Sequence, residues 1–294
     1  MRTRIRGSRL AAASLAFAGC LWGTGFFFGK IAFEEMSVTE NVTFRFLFGS
    51  VVLFPFLLKR RRPFRLKELS LLLLAGVIGV PVQFLVQFEG LRLTTVSHAS
   101  LVVATLPMLL AAGSAVFLHE RLTVFEWGML LVSAIGAALI ALSSYSPTGP
   151  QPTTRGDLLV LLSMVAAAAM ILLSKRLIDG HDPLQVTVAI IVTGTVMLLF
   201  WTAFRQPLRF RFSPEVWGAV AAQGVLATAG AYLFWNWGLA RMAAARSGAF
   251  LNLEPIVGTL LGLSVLHEVL AISAVIGGAM IVGSAIFFTR RPGV

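Results

Sequence analysis

Charge is what this sequence has least of. Asp, Glu, Lys and Arg together make up 13% of its 294 residues, against roughly 25% in a soluble globular domain. A water-soluble monomer covers its surface with polar groups, and so small a charged fraction excludes a soluble enzyme and a disordered chain. Cysteine is almost missing too: Cys20 stands alone, cannot form an internal disulfide, and excludes a disulfide-stapled secreted module. No Gly-rich loop ending in Lys-Ser/Thr is present, so ATP drive is not encoded. His119-Glu120 and His267-Glu268 have no second His at helical spacing, so the zinc-protease pattern is absent and capping or loop pairing is the expectation for both. Neither a metal nor a cofactor is called for.

What the chain does have is long apolar runs. Hydrophobic residues make up 57% of it and the mean hydropathy is +0.86. Runs of about 20 residues recur, the length that crosses a bilayer core as a helix. Ten spans are predicted, at about 10–30, 39–58, 68–89, 96–118, 123–143, 156–176, 184–204, 214–237, 243–265 and 269–289. The tails and loops left over are too short for an extramembrane domain. No alternating strand pattern with turn spacing is seen, which argues against a β-barrel. The fold class is therefore an all-α polytopic membrane protein with the lipid bilayer as its surroundings. The first apolar run continues past Cys20 through Phe28, longer than a ~7–15-residue signal core, so an uncleaved first helix is expected. A monomer is the expected state.

A net charge of +11 would suggest nucleic acid in a soluble protein. Here the basic residues sit in short loops and report topology instead, so no nucleic acid partner is expected. With the amino terminus in the cytoplasm, cytoplasmic segments carry 17 Lys and Arg and the opposite side 6, a strong positive-inside bias. That predicts a multi-pass protein of the cell (inner) membrane with both termini cytoplasmic. Arg205, Arg209 and Arg211, all in one outer loop, run against the trend.

The sequence also repeats itself. At an offset of 148 positions Gly90-Leu91 falls on Gly238-Leu239, Pro107 on Pro255, and Leu118-His119-Glu120 on Leu266-His267-Glu268. The repeat unit is five spans, 1–150 and then 151–294. Because five is odd, the second copy enters the membrane from the opposite side. Two inverted five-helix repeats are an architecture of secondary transporters, with the substrate site near the midplane at their seam.

Gly90-Leu91, the run around Pro107, Leu118-His119-Glu120-Arg121-Leu122, Trp22-Gly23, Arg45-Phe46, Glu254-Pro255 and His267-Glu268 together resemble the repeated domain of the drug/metabolite transporter superfamily, the EamA-type permeases. The resemblance covers about residues 10–289. It implies ten helices in two inverted repeats and export of small metabolites. In aromatic content the chain is most similar to bacterial exporters of aromatic amino acids.

Candidate site residues follow from what is costly inside a bilayer, where charged groups are functional candidates by default. Glu254 lies near the middle of the ninth span, where its repeat partner is Leu106. It would bind a substrate ammonium or carry a coupled proton, or else serve as a structural Glu beside a helix break. Arg45, early in the second span, is expected to snorkel outward or pair with Glu40. Pro107 and Pro255 sit mid-span, and each removes a backbone donor and frees a carbonyl, at Val103 and Leu251. Gly76, Gly79, Gln83, Gln87 and Gly90 share one face of the third span, which must turn inward; Gly224, Thr228, Tyr232 and Asn236 do the same in the eighth, bordered by Trp235. Trp22, Gly25 and Gly29 share a face of the first span.

The expected function is a secondary transporter exporting small amphipathic metabolites, amino acids and aromatic ones in particular, by alternating access. Side chains would pack on Trp22, Phe84, Tyr232 and Trp235. Amino and carboxyl groups would meet Gln83, Gln87, Asn236, Glu254 and the backbone at Pro107 and Pro255. The alternatives are an uncoupled facilitator or channel and an intramembrane enzyme. For the enzyme no convergent nucleophile, base or metal ligands are found at midplane depth. The topology is checked by replacing Ser37 with Cys in a Cys20→Ser background: an impermeant maleimide labels it from outside intact cells, and labelling only after permeabilisation overturns the inverted arrangement.

Overall fold

A computed structural model describes residues 2–58, 63–117, 123–142, 151–178, 180–205, 207–239, 241, 250–251 and 253–290. His119, Glu120 and Pro150 lie outside the described residues. All regular structure among the described residues is helical. The elements are α1 (Arg2–Ala32), α2 (Val38–Leu58), α3 (Leu66–Leu93), α4 (Val96–Phe117), α5 (Val124–Ala141), α6 (Thr154–Ile178), α7 (Pro183–Arg205), α8 (Pro214–Gly238), α9 (Leu253–Ser264) and α10 (Ile272–Arg290). Seven are long and apolar enough to cross a membrane, and shorter apolar helices lie in α5, α9 and α10. Exposed Val51, Leu73, Phe200 and Ile276 stud the outside, as a lipid-facing surface requires.

The helix starts are written locally. Thr95 accepts from the His98 N–H at 3.2 Å to open α4, and Ser213 accepts from the Val216 N–H at 3.3 Å to open α8, with Pro214 in its first turn. Asp182 accepts from the Leu184 and Gln185 N–H groups at 2.9 and 3.1 Å to open α7. These caps satisfy amides that have no intrahelical partner.

The interruptions inside helices obey the repeat. α3 carries a π-helical turn at Ile78–Val82 and α8 carries one at Val225–Gly230, the equivalent position under the 148-residue shift. α4 is broken into Val96–Val103 and Leu106–Phe117. Pro107 is the second residue of the later piece and Pro255 the third residue of α9. Both prolines stand at breaks in the helix and not at kinks in a continuous one. Each stands in a first turn, where a missing N–H costs no hydrogen bond. The break itself lies at Ala104–Thr105, where the Thr105 hydroxyl donates to the Val102 carbonyl at 2.8 Å.

Packing across the halves is reciprocal. Gly76 of α3 meets Gly194 of α7, and its repeat mate Gly224 of α8 meets Gly49 of α2. Gly90 of α3 rests on Gly156 and Val160 of α6, while Gly238 of α8 rests on Leu15 of α1. Gly19 and Gly23 seat α1 against Leu253, Glu254 and Val257. Close backbone approach needs small residues at such crossings. A Cβ at Gly194 would stand 2.5 Å from the Gly76 carbonyl oxygen, whereas one at Gly218 would meet nothing within 4 Å. Gly194→Ala is therefore expected to lower the thermal unfolding midpoint in detergent by several degrees, while Gly218→Ala leaves it unchanged or raises it slightly, since Ala is the better helix former by up to ~1 kcal/mol.

Candidate substrate-binding site

The two halves meet in an aromatic cluster. Trp22 of α1 lies 5.4 Å from Tyr232 and 5.3 Å from Trp235, ring centroid to ring centroid. Phe84 of α3 lies 4.6 Å from Phe46 of α2 in an edge-on contact and 6.4 Å from Phe88, which stands 6.1 Å from Phe26. Trp22, Tyr232 and Trp235 are half-buried, so their rings keep surface for a ligand.

Glu254 is in the first turn of α9, where the positive end of the helix dipole favours a carboxylate. Its backbone carbonyl would lie 2.7 Å from a Cβ on Gly23, which puts it beside Trp22. The half-buried carboxyl forms no hydrogen bond or ion pair with the described residues, but it lies within electrostatic reach of Arg45 and Tyr232.

Arg45 is where the structure corrects the sequence reading. It neither snorkels outward nor pairs with Glu40. Five positions along a helix put the two side chains on different faces, and Glu40 is taken by Arg209 at 2.7 Å. Arg45 is only 5% exposed. Its Nε donates to the Thr228 hydroxyl at 2.9 Å, and its guanidinium carbon lies 4.6 Å from the centre of the Phe84 ring, 5.3 Å from Phe88 and 5.4 Å from Phe46. The signal for it was the face Asn41, Arg45 and Gly49, at steps of four: Asn41 meets Gln223 at 3.1 Å, and Gly49 meets Gly224.

The other expected residues are distributed as follows. Gln83 and Gln87 are both buried, and the Gln83 Oε1 has no partner among the described residues. Asn236 donates to the Tyr232 carbonyl at 2.8 Å and lines a groove of about 720 Å³ with Ser14, Phe17, Leu184 and Arg241, near the amino-terminal end of α1. Pro107 leads into Met108 and Leu109, which line a separate cavity of about 340 Å³ with Leu130, Ser133 and Asp157. Pro255 is buried behind Glu254.

The opposite end of the molecule is tied together by polar contacts, of which the sequence anticipated only the capping by Glu268. The Lys30 ammonium donates to the Thr94 carbonyl at 2.6 Å, the Thr94 hydroxyl donates to Asp157 at 2.6 Å, and the other Asp157 oxygen meets His98 Nδ1 at 2.9 Å. Lys30, Glu40, Asp157 and Glu268 therefore join Glu254 and Arg45 as charges within or at the ends of spans. His267, in the left-handed region at φ 53°, turns the chain so that Glu268 accepts from the Val96 and Ser97 N–H groups at 2.7 and 2.8 Å. A carboxylate from the second half thus caps α4 of the first. On the same side, Arg209 and Glu40 pair, and the Ser213 hydroxyl and N–H hold the exposed Glu35 carboxyl below the usual carboxylate range. Arg209, one of the three outer basic residues that ran against the topology count, is thereby matched by an acidic partner.

Helices reciprocally packed about an aromatic and charged seam define a polytopic transporter scaffold. Residues 10–142 and 154–290 each match the EamA-like transporter family, and the chain belongs to that family. Among its relatives, an uncharacterized transporter of Archaeoglobus fulgidus is 26% identical over 94% of this chain and 98% of its own length. The biotin transporter of Escherichia coli strain K12 is 26% identical over 95% and 93%. A probable terminal-alkyne amino-acid exporter of Streptantibioticus cattleyicolor is 29% identical over 79% and 76%. One solved crystal structure superposes with a TM-score of 0.66 at 20% identity, covering 95% of this chain and 98% of the other, and shares the fold. Membership implies a small-molecule substrate and a lipid environment.

The tied end yields a test. Glu268→Ala leaves two buried amides without acceptors, at about 1–3 kcal/mol for each, and is expected to lower the detergent unfolding midpoint. Glu268→Gln, which keeps one acceptor oxygen, loses less.

Proposed function

We propose that this chain exports small amphipathic metabolites, amino acids and aromatic ones in particular, by alternating access between halves 1–150 and 151–294 in the cell membrane, with both termini in the cytoplasm. The observation that carries the reading is the seam itself. Trp22 of one half meets Tyr232 edge-on and Trp235 at a tilt in the other, near a Glu254 carboxyl that has no bonded partner among the described residues. Rings from both halves give an apolar side chain its walls, and the carboxyl gives an ammonium its counter-charge. Inverted halves have two equivalent asymmetric packings, one open to each side. The polar ties at one end and the 720 Å³ groove at the other support a carrier resting with one end closed. The relatives' named cargoes support the substrate class, since biotin and an alkynyl amino acid both join a carboxylate to an apolar body.

The test is a substrate panel in proteoliposomes, with and without a pH gradient. Glu254→Gln and Gln83→Ala are each expected to lower transport of phenylalanine at least severalfold while leaving the yield of folded protein intact. Full flux in both variants overturns the site. Saturating uptake with counterflow supports a carrier, and unitary currents overturn it in favour of a pore.

A further inference from the structure

We infer that Arg45 is the carboxylate anchor of the central site and that, with Glu254 opposite it, the site selects α-amino acids as zwitterions, a deepening that rests on the transport reading above. A guanidinium has five N–H groups in a planar fork. One, on Nε, is spent on Thr228, and the ring faces of Phe46, Phe84 and Phe88 flank the guanidinium. With Nε spent and the rings around it, the terminal N–H groups are left unbonded among the described residues, and these are the donors that grip a carboxylate through two parallel bonds. That edge faces α1 at Gly25, where a Cβ would lie 3.9 and 4.0 Å from the two terminal nitrogens. A side chain is missing at the position where the fork needs access.

Among the described residues no carboxylate pairs with Arg45, although it is 95% buried by its 5% exposure. A buried charge without a counter-ion is costly. Asp157, Glu268 and Glu40 each use both carboxylate oxygens on bonded donors, whereas the terminal nitrogens of Arg45 have no hydrogen bond among the described residues, which marks where a ligand completes the set. The second such group is Glu254. Gly25 fronts the Arg45 guanidinium and Gly23 abuts the Glu254 backbone, so both residues meet α1 within the turn that follows Trp22, and the Glu254 carboxyl lies within electrostatic reach of Arg45. One positive and one negative group sum to zero. A zwitterion answers both, whereas a phosphate or dicarboxylate dianion leaves negative charge facing Glu254, and a simple amine leaves Arg45 unmatched. Trp22, Tyr232 and Trp235 receive the apolar side chain.

The experiment uses the purified full chain and three probes: L-phenylalanine, L-phenylalaninamide, which lacks the carboxylate, and 3-phenylpropionate, which lacks the ammonium. Binding is read by competition against labelled phenylalanine and by ligand-induced thermal shift. Wild type is expected to prefer phenylalanine to both analogues by on the order of tenfold or more, since a bond to a charged group is worth about that. Arg45→Gln is expected to erase the preference over the amide without lowering the ligand-free unfolding midpoint, because it removes an unpaired buried charge. Arg45→Lys, which keeps the charge but not the fork, falls between. Glu254→Gln erases the preference over 3-phenylpropionate and spares that over the amide. Thr228→Val, which keeps the guanidinium and frees its Nε, weakens the preference over the amide even if Arg45→Gln fails to fold. Persistence of the amide preference in Arg45→Gln or Thr228→Val overturns the anchor. An equal loss of all three probes in Arg45→Gln with a lowered midpoint assigns Arg45 to structure and overturns it too, while transport by wild type stands. Wild type that binds none of the three overturns the amino-acid reading itself.

Discussion

Hydrocarbon offers no hydrogen bonds, so a chain within it must satisfy its polar backbone internally and can leave helical geometry only where protein or a water-filled cavity takes over. The interruptions in this molecule answer to that constraint. The two π-helical turns, Ile78–Val82 and Val225–Gly230, and the break at Ala104–Thr105 all include buried residues, such as Val80, Thr228 and Thr105, within the seam between the halves. In the break the Thr105 hydroxyl takes up the Val102 carbonyl, which a continuous helix would have paired otherwise. Placing the irregular backbone at the seam frees side chains there to point at one another. Glu254 owes its position to this, since it lies in the first turn of a helix that starts at Leu253, inside the protein.

The same accounting applies to charge and separates structure from site. Asp157 is held by His98 and Thr94, Glu268 by two amides, Lys30 by a carbonyl and Glu40 by Arg209. These bonds join α1, the α3–α4 turn, α6 and the α9–α10 turn at one end of the molecule. They stabilise because each partner is matched, and breaking one exposes the other. Arg45 and Glu254 are treated differently: among the described residues Arg45 is hydrogen-bonded through Nε alone, leaving its terminal nitrogens unbonded, and the Glu254 carboxyl has no hydrogen bond or ion pair.

What the sequence made legible was whatever repeats or has a period. The spans came from apolar length, the halves from the offset that superposes Gly90-Leu91 on Gly238-Leu239, and the Trp22, Tyr232 and Trp235 cluster from helical faces. Pairings between distant elements were not legible. Nothing local in His98 announces Asp157, 59 residues away, because the contact exists only once α4 and α6 are packed. Arg45 was misread for a related reason: in sequence its nearest acid is Glu40, but a helix turns the two apart and hands Glu40 to Arg209. That Pro107 and Pro255 interrupt their spans was legible from the missing N–H, but that each sits in the first turn of a new helix was not, because a helical pattern continues through both.

The repeat explains the scaffold, and departures from it explain the site. Under the shift of 148 positions Phe84 falls on Tyr232, and both flank the seam, one beneath Arg45 and the other against Trp22. Yet Arg45 falls on Thr193, Glu254 on Leu106, Trp22 on Met170 and Trp235 on Gln87. Of the residues proposed to line the site, Tyr232 is matched by an aromatic in the other copy, while Arg45, Glu254, Trp22 and Trp235 are not. In the alternating-access proposal, the reciprocal packing of Gly76 on Gly194 and of Gly224 on Gly49 is what would let each helix crossing recur when the halves exchange roles. Ligand recognition needs asymmetry. A site with the same charges related by a two-fold axis would bind a polar molecule equally well in two orientations, and would set like charges against each other across the axis. Under the proposal above, departures from the repeat at these positions would give a bound molecule a single polarity while the equivalent crossings leave the two halves interchangeable.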